Sequence, residues 1–208
     1  MVNYSLLTAY LLAIVLFLGT PGPVTILVIS ASVKSGFRAG LATIAGTNIA
    51  SLILIALSFI IIQGVFAVSE TAMLWLTFFG TLYLFYFSIS IIRDKIDLQQ
   101  TLQQNSKRVS KNHFKDGFLI GISNPKDILF FIAFFPIFLA VTSDIYVSMI
   151  TLTLVWIVLD YSILSIYAFT FSKVSNNRTA NITSKLSGII LLLITIYVFY
   201  EISKRLFF

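Results

Sequence analysis

Six long stretches of the sequence carry almost no charged side chain, and this feature limits the fold more than any other. They are 1–33, 39–69, 71–92, 117–143, 145–172 and 186–200. A helix needs about 20 mostly apolar residues to cross a bilayer. The pattern therefore predicts an all-α integral membrane protein with six transmembrane helices, or five if the short last stretch does not cross.

The overall composition agrees with this class. Only 11% of the 208 residues are charged and 58% are hydrophobic, whereas a soluble domain has roughly a quarter charged residues. The chain has no cysteine, and its one histidine, His113, lies in a polar stretch. Thiolate metal sites and thiol catalysis are thereby excluded. We expect no metal, no cofactor and no catalytic residues, because the spans contain no nucleophile and base pair.

The basic residues are shared unequally between the connections. Eleven of the 14 Lys and Arg follow the first, third and fifth stretches, two lie near the C-terminus, and Lys126 lies within a stretch. Cytoplasmic connections of membrane proteins are enriched in Lys and Arg. We therefore expect those three connections in the cytoplasm and both termini outside. Because the basic residues act as topology signals, the net charge of +6 gives no reason to expect a nucleic-acid partner.

A polar segment divides the chain into two halves. Residues 1–97 form a first three-helix repeat, 98–112 a cytoplasmic linker, and 113–208 a second three-helix repeat. Because each half has an odd number of spans, the second half enters the membrane upside down relative to the first. The sequence thus predicts two inverted repeats.

Two spans contain a break. The first has the Thr-Pro-Gly-Pro motif at 20–23 and the fourth has Asn124-Pro125, so that Pro125 follows Pro23 by 102 residues. Either break alone is explained by a proline kink, but Pro/Gly interruptions in corresponding spans point to a transporter whose site lies between inverted repeats. We therefore predict interrupted helices one and four and a substrate site beside them, formed by Thr20, Pro21, Gly22, Pro23, Asn124, Pro125 and Lys126.

Three charged side chains fall inside the apolar stretches. Lys126, Asp127 and Asp160 each cost about 2.5–3.5 kcal/mol at a helix centre, so we expect them to face the interior. We expect Lys126 to reach a partner across the bundle and Asp127 to cap the helix after Pro125. Asp160 lies near mid-bilayer, where burial favours proton uptake by a carboxylate. It either couples transport to protons or, neutral or paired with Lys126, holds spans four and five together.

Small residues enter two of the spans. Gly36 and Gly40 precede span two, Gly46 follows them, and Gly117 and Gly121 enter span four. Spacings of this kind allow two helix backbones to approach closely. We interpret these glycines as packing positions.

These residues resemble the lysine-exporter family of bacterial amino-acid efflux proteins, along nearly the whole chain. The resemblance rests on the motif at 20–23, on Ser-Gly-Phe-Arg-Ala-Gly at 35–40 with Gly46, and on Asn-Pro-Lys at 124–126 with Phe-Phe-Pro at 134–136. Similar members also carry an Asp and a Tyr where Asp160 and Tyr167 stand. Asp127 and Ser88 depart from the family, which commonly has Ala and Gly there.

The resemblance implies an exporter of the bacterial plasma (inner) membrane. It would move an amino acid or similar small metabolite out of the cytoplasm, driven by protons, with Asp160 as the coupling residue. Two alternatives of similar architecture are an efflux protein for an inorganic cation and a passive pore. The sequence leaves open the substrate and whether the chain forms a homodimer.

Overall fold

The apolar stretches of the sequence fold into helices. The structure is a computed structural model that describes residues 2–19, 22–68, 70–93, 112–173 and 177–207. Within these ranges every regular element is helical. The elements are α1 (Tyr4–Gly19), α2 (Pro23–Ser35), α3 (Phe37–Val68), α4 (Glu70–Arg93), α5 (His113–Ile122), α6 (Pro125–Leu129), a π-helical turn (Phe130–Phe134), a 3₁₀ segment (Phe135–Val141), α7 (Ile145–Lys173) and α8 (Asn177–Phe207). Nearly all of the predicted linker 98–112 lies outside the described residues.

The helices differ in their capacity to cross a bilayer. Among the described residues, two single helices are long and apolar enough, Phe37–Gly64 in α3 and Ile145–Thr170 in α7. A third candidate is the pair α1 and α2, which are bent by 56° relative to each other. In α4, Thr77–Arg93 is apolar but shorter. An all-helical membrane fold is thus confirmed, and the count of six spans stays a prediction.

Both predicted breaks are present, and proline begins the helix after each one. Pro23 is the first residue of α2 and Pro125 is the first residue of α6. Proline suits this position because its missing N–H would have no intrahelical partner there. Interruption of the first and fourth apolar stretches is therefore confirmed.

The fourth stretch stays irregular after its break. The π-helical turn leads into the 3₁₀ segment, whose second residue is Pro136. Proline cannot donate the backbone hydrogen bond of an α-helix and its ring clashes with the preceding turn, so the helix changes its winding here. From α3, the Ser58 hydroxyl donates to the Phe131 carbonyl oxygen over 2.5 Å.

The glycines bring α3 and α5 into backbone contact. A Cβ atom on Gly46 would collide with the backbone of Phe114 and Phe118, and one on Gly117 would collide with the backbone of Thr43. The predicted packing role is confirmed for Gly46 and Gly117. It is wrong for Gly36, where nothing lies within 4 Å of an added Cβ; with φ 86°, this glycine ends α2 instead. The contact of α3 with α5 fixes the helix that leads into the second break.

The core is largely aromatic and lies beside the breaks. It joins α1, the π-helical turn, the 3₁₀ segment and α7 through Tyr10, Phe17, Phe130, Phe131, Phe134, Phe135, Phe138 and Trp156. The Phe17 and Phe130 ring centroids are 4.3 Å apart, and those of Phe131 and Trp156 are 4.6 Å apart. This cluster closes off the polar region described next on one side.

Candidate functional site

A small polar cavity lies where the two broken helices meet α3 and α7. Its volume is about 10 Å³, close to the space that one water molecule needs. The residues that line it are Phe17, Leu18, Gly22, Val24, Thr25, Thr47, Ser51, Asn124, Lys126, Asp127, Asp160 and Leu164. Five separate helices thus contribute to one cavity, and three of its side chains are ionisable.

The C-terminal end of α1 is stabilised by side chains from distant parts of the chain. The Lys126 ammonium donates a hydrogen bond to the Phe17 carbonyl oxygen over 2.6 Å, and the Tyr167 hydroxyl donates to the Gly19 carbonyl oxygen over 2.6 Å. The last carbonyl groups of a helix have no intrahelical donor and carry the negative end of the helix dipole. A cation and a hydroxyl therefore satisfy acceptors that the break exposes.

The N-terminal end of α2 differs from the C-terminal end of α1. Its N-cap residue is Gly22, which has no side chain of its own to cap this end. The amides of Val24 and Thr25 are in the first turn, so they have no intrahelical acceptor. Both residues line the cavity. The first break therefore places the C-terminal end of α1 and the N-terminal end of α2, the opposite ends of two helix dipoles, beside one cavity.

At the second break, an adjacent side chain caps the start of the next helix. The Asn124 side chain accepts a hydrogen bond from the Lys126 amide over 3.2 Å and is the N-cap of α6. Asp127, which we expected to cap this helix, lies in the first turn instead. Asparagine directly before a proline at the first helical position matches the usual N-cap pattern, and this signal would have identified the cap.

Lys126 does reach across the bundle, as predicted. Its side chain is only 4% exposed, and its Nζ atom lies 4.3 Å from the centroid of the Phe17 ring and 5.9 Å from that of Phe87. A buried ammonium gains from both the carbonyl acceptor and the aromatic faces. Lys126 thus links the second break to the first.

Asp160 joins α7 to α3. Its Oδ2 atom accepts a hydrogen bond from the Asn48 side chain over 3.1 Å, and both residues are 3% exposed. Asp127 is near enough to influence Asp160 electrostatically. This hydrogen bond therefore connects span five to span two, whereas one of the two sequence-based alternatives had Asp160 connect span five to span four.

The arrangement contains no evident place for a metal ion. Among the described residues, no three or more His, Asp or Glu side chains cluster with suitable spacing. What the cavity does offer is a lysine, two carboxyl groups and helix ends of both signs. Groups of this kind can bind charged and hydrogen-bonding parts of a small molecule.

The family follows from comparison with known proteins. The sequence model of the LysE type translocators matches residues 15–202. The chain belongs to this family. Since 15–202 includes both breaks and Asp160, the resemblance drawn from the motifs is confirmed, and the protein is a membrane translocator.

Individual relatives agree with this family. An uncharacterised membrane protein of Pseudomonas aeruginosa is 28% identical over 130 residues, which are 61% of this chain and 60% of that relative. That match therefore spans less than two thirds of the relative. A membrane protein of Vibrio cholerae is 29% identical over 86% of this chain and 87% of its own length. A homoserine/homoserine lactone efflux protein of Salmonella typhimurium is 30% identical over 77% of each chain. No solved structure matches.

The predicted site residues of this LysE type translocator are distributed as follows. Gly22, Asn124 and Lys126 line the cavity together with Asp160. Pro23 and Pro125 begin the helices beside it. Thr20 and Pro21 lie outside the described residues.

The sequence analysis missed the polar stripe of α3. Thr43, Thr47, Ser51 and Ser58 recur along this helix, with Asn48 beside Thr47, and all are buried. Two of them, Thr47 and Ser51, line the cavity. Polar residues spaced by four or seven within an apolar stretch mark one helix face, so this face could have been predicted from the sequence.

Proposed function

We propose that this LysE type translocator is a secondary exporter that moves an amino acid or similar small metabolite out of the cytoplasm, with protons as the coupling ion. The observation that carries the proposal is the first break. It places the C-terminal end of α1, whose Phe17 carbonyl accepts from Lys126, and the first turn of α2 beside one cavity. In transporters with discontinuous helices, the N-terminal ends bind anionic groups of the substrate and the C-terminal ends bind cations.

The chemistry of the cavity suits a zwitterion. An α-amino acid carries a carboxylate and an ammonium group a few bonds apart, and helix dipoles favour an anion at an N-terminus and a cation at a C-terminus. The amides of Val24 and Thr25 would meet the carboxylate. The carbonyl of Phe17 would meet the ammonium group, while Gly22 leaves room between the two ends.

One relative suggests the first compound to test. The protein of Salmonella typhimurium that is 30% identical is a homoserine/homoserine lactone efflux protein. Homoserine and its lactone share the amino group, whereas only homoserine has a free carboxylate. Homoserine is therefore the probe that we would use first.

Asp160 is the group that we assign to proton coupling. It is buried at the cavity, and its hydrogen bond comes from the neutral side chain of Asn48. A carboxyl group in such surroundings can release a proton when the cavity is wet and take one up when it closes. Movement of this proton in the direction opposite to the substrate would make the transporter an antiporter.

The contacts between helices support the inverted-repeat architecture. Helices of corresponding spans touch each other, α3 with α7 and α4 with α8, while α1 contacts the 3₁₀ segment and α2 contacts α5. We accordingly propose six spans in the bacterial inner membrane with both termini outside. The substrate pathway would run between the two three-helix units.

The described conformation is closed around the site. A cavity of about 10 Å³ is too small for an amino acid, which has several times the volume of a water molecule. Loading therefore requires movement of the side chains or helices that line it. Alternating access by rocking of one repeat against the other supplies such movement.

Metabolite export from cells tests the direction and the substrate class. Bacteria overexpressing the wild type, Lys126→Met or Gly64→Ala would be compared for compounds that accumulate in the medium. Gly64 is a suitable control because it is exposed and nothing lies within 4 Å of an added Cβ. We expect one or a few amino acids to accumulate with the wild type and Gly64→Ala but not with Lys126→Met. Equal media in all three would contradict the proposal.

Proteoliposomes test the coupling. With an imposed pH gradient, the wild type should move homoserine, or the compound found in the medium, against its concentration gradient. Asp160→Asn should remove this uphill movement while the protein stays folded. Unchanged pH-driven transport by Asp160→Asn would refute the proton role, and downhill flux alone in the wild type would indicate a passive pore.

A further inference from the structure

The ammonium group of Lys126 lies where the positive group of a substrate would be expected. It donates to the Phe17 carbonyl oxygen over 2.6 Å and lies over the Phe17 ring at 4.3 Å. It also passes close to the first break, because a Cβ atom on Gly22 would be 3.8 Å from Nζ and 3.6 Å from Cδ. A helix-end carbonyl and an aromatic face together form a good binding site for an organic ammonium.

The cavity has no space for a second ammonium beside that of Lys126. Its volume is about 10 Å³, enough for one water molecule at most. Two cations in contact would also repel each other strongly at a buried site. A substrate ammonium can therefore bind the Phe17 carbonyl only if Lys126 moves away.

We propose that the Phe17 carbonyl and ring form an ammonium subsite, that Lys126 occupies it in the closed state, and that the ammonium group of the substrate displaces Lys126. The last part rests on the proposed amino-acid function. Once displaced, the Lys126 ammonium pairs with the carboxylate of the same substrate. Because the substrate is a zwitterion, loading leaves the net charge inside the cavity unchanged.

The position of Lys126 in the chain suits this exchange. It is the second residue of α6, a helix of 5 residues between the second break and the π-helical turn. Because both flanks are already irregular, α6 can rotate without breaking the hydrogen bonds of a long helix. A lysine in the middle of α7 would have no such freedom.

The absence of cysteine from the sequence makes a clean reporter available. Ser51→Cys places a single thiol in the cavity wall, and its rate of alkylation by a small maleimide in detergent reports access to the cavity. In this background, Lys126→Ala removes the ammonium and most of its stem, which leaves the subsite empty. The probe is propylammonium, and propanol is its neutral control of the same size.

We expect propylammonium to slow labelling of the Lys126→Ala protein about tenfold, which is the scale of one charge-assisted hydrogen bond. Propanol should have little effect, and the protein that retains Lys126 should respond to neither compound at the same concentration. Equal effects of propylammonium and propanol, or none from either, would overturn the ammonium subsite. A thiol at the exposed position, Gly64→Cys, should label at one rate throughout.

A second variant keeps the test decisive if Lys126→Ala does not fold. Lys126→Met retains most of the side chain but ends one heavy atom short, which leaves the Phe17 carbonyl without its ammonium donor. Methylammonium, which is small enough to bind beside the methionine, should then slow labelling, whereas methanol should not. The absence of a difference between these two compounds would again overturn the subsite.

Homoserine separates this inference from the proposed function. In the protein that retains Lys126, homoserine should change the labelling rate at lower concentration than its decarboxylated amine, because only homoserine gives the displaced Lys126 a carboxylate. Lys126→Met should lose this preference about tenfold or more. If propylammonium protects but no amino acid affects any variant, the subsite stands and the proposed amino-acid function fails. If homoserine acts equally on the proteins with and without Lys126, the displacement is refuted and the function stands.

Discussion

The two helix breaks occupy corresponding positions in the two halves, yet their chemistry is opposite. At the second break, Asn124 accepts from the Lys126 amide and closes the start of α6 locally. At the first break, the N-cap is a glycine without a capping side chain, and the end of α1 is bound by Lys126 and Tyr167 from distant helices. At the second break the backbone is therefore hydrogen-bonded by a neighbouring side chain. At the first break it depends on side chains from other helices.

This difference indicates a division of labour. Local caps do not need to open, so the second break is suited to keep α6 folded while the Lys126 side chain exchanges partners. Long-range bonds to carbonyl oxygens can be exchanged for bonds to a ligand. The first break is therefore the better candidate for the place where a substrate binds.

The largest expected effect on stability comes from the support of the second break. In Gly117→Ala, the new methyl group meets the backbone of Thr43, and overpacking of this kind costs about 1–3 kcal/mol. Thermal unfolding in detergent should show a clear loss of stability, with Gly64→Ala unchanged as the matched control. If Gly117→Ala unfolds at the same temperature as Gly64→Ala, the close contact of α3 and α5 is not what fixes this region.

A smaller loss is expected when the local cap is removed. Asn124→Ala takes away the side-chain acceptor of the Lys126 amide, and loss of an N-cap costs about 1 kcal/mol. Asn124→Asp or Asn124→Ser should restore most of this stability in the same unfolding measurement, because both can cap. Equal stability of the Ala and Ser variants would show that the second break is not closed by its own side chain.

The long-range bond at the first break should have a comparable or smaller effect on stability but a distinct effect on transport. Tyr167→Phe removes the donor to the Gly19 carbonyl, and a hydrogen bond contributes about 1 kcal/mol. Because this carbonyl is at the proposed binding end of α1, homoserine flux should also fall severalfold. Asn124→Ser, measured beside it, should retain flux. Lower flux in Asn124→Ser than in Tyr167→Phe would reverse the assignment of the two breaks.

The smallest effect is expected at the N-cap of the first break. In Gly22→Ala, the added Cβ would lie 3.6 Å from Lys126 Cδ, an ordinary contact, and the extended backbone of Gly22, with φ −129° and ψ −173°, is one that alanine also adopts. Unfolding should change by about 0.5 kcal/mol or less, as for substitutions that remove no interaction. A loss as large as that of Asn124→Ala would mean that the two N-caps are equivalent after all.

Much of this architecture could be predicted from the sequence because it depends on local rules. Long uncharged stretches became helices, and Pro23 and Pro125 begin helices after breaks because proline has no amide hydrogen to donate. The glycines at 46 and 117 marked a backbone contact for a similar reason, since only glycine allows two helices to approach this closely. These features need no knowledge of which helices are neighbours.

The partners of the buried polar groups could not be predicted in this way. Tyr167 binds the Gly19 carbonyl although 148 residues separate them, and Asn48 binds Asp160 across 112 residues. Such pairs follow from how helices pack, and a pattern within one helix carries no such information. The expected cap at Asp127 was wrong for a local reason, because Asn124 stands directly before the first helical residue, Pro125, and asparagine is a preferred N-cap.

Solute counterflow tests the central claim most directly, that the cavity at the first break binds the transported amino acid. Proteoliposomes preloaded with unlabelled homoserine would be diluted into a trace of labelled homoserine, an exchange that needs no pH gradient and so isolates binding from coupling. We predict transient accumulation of label with the wild type and Gly64→Ala, and loss of it with Lys126→Met. Accumulation by Lys126→Met at the rate of the wild type would contradict the account, because the transported compound would then not bind where Lys126 meets the end of α1.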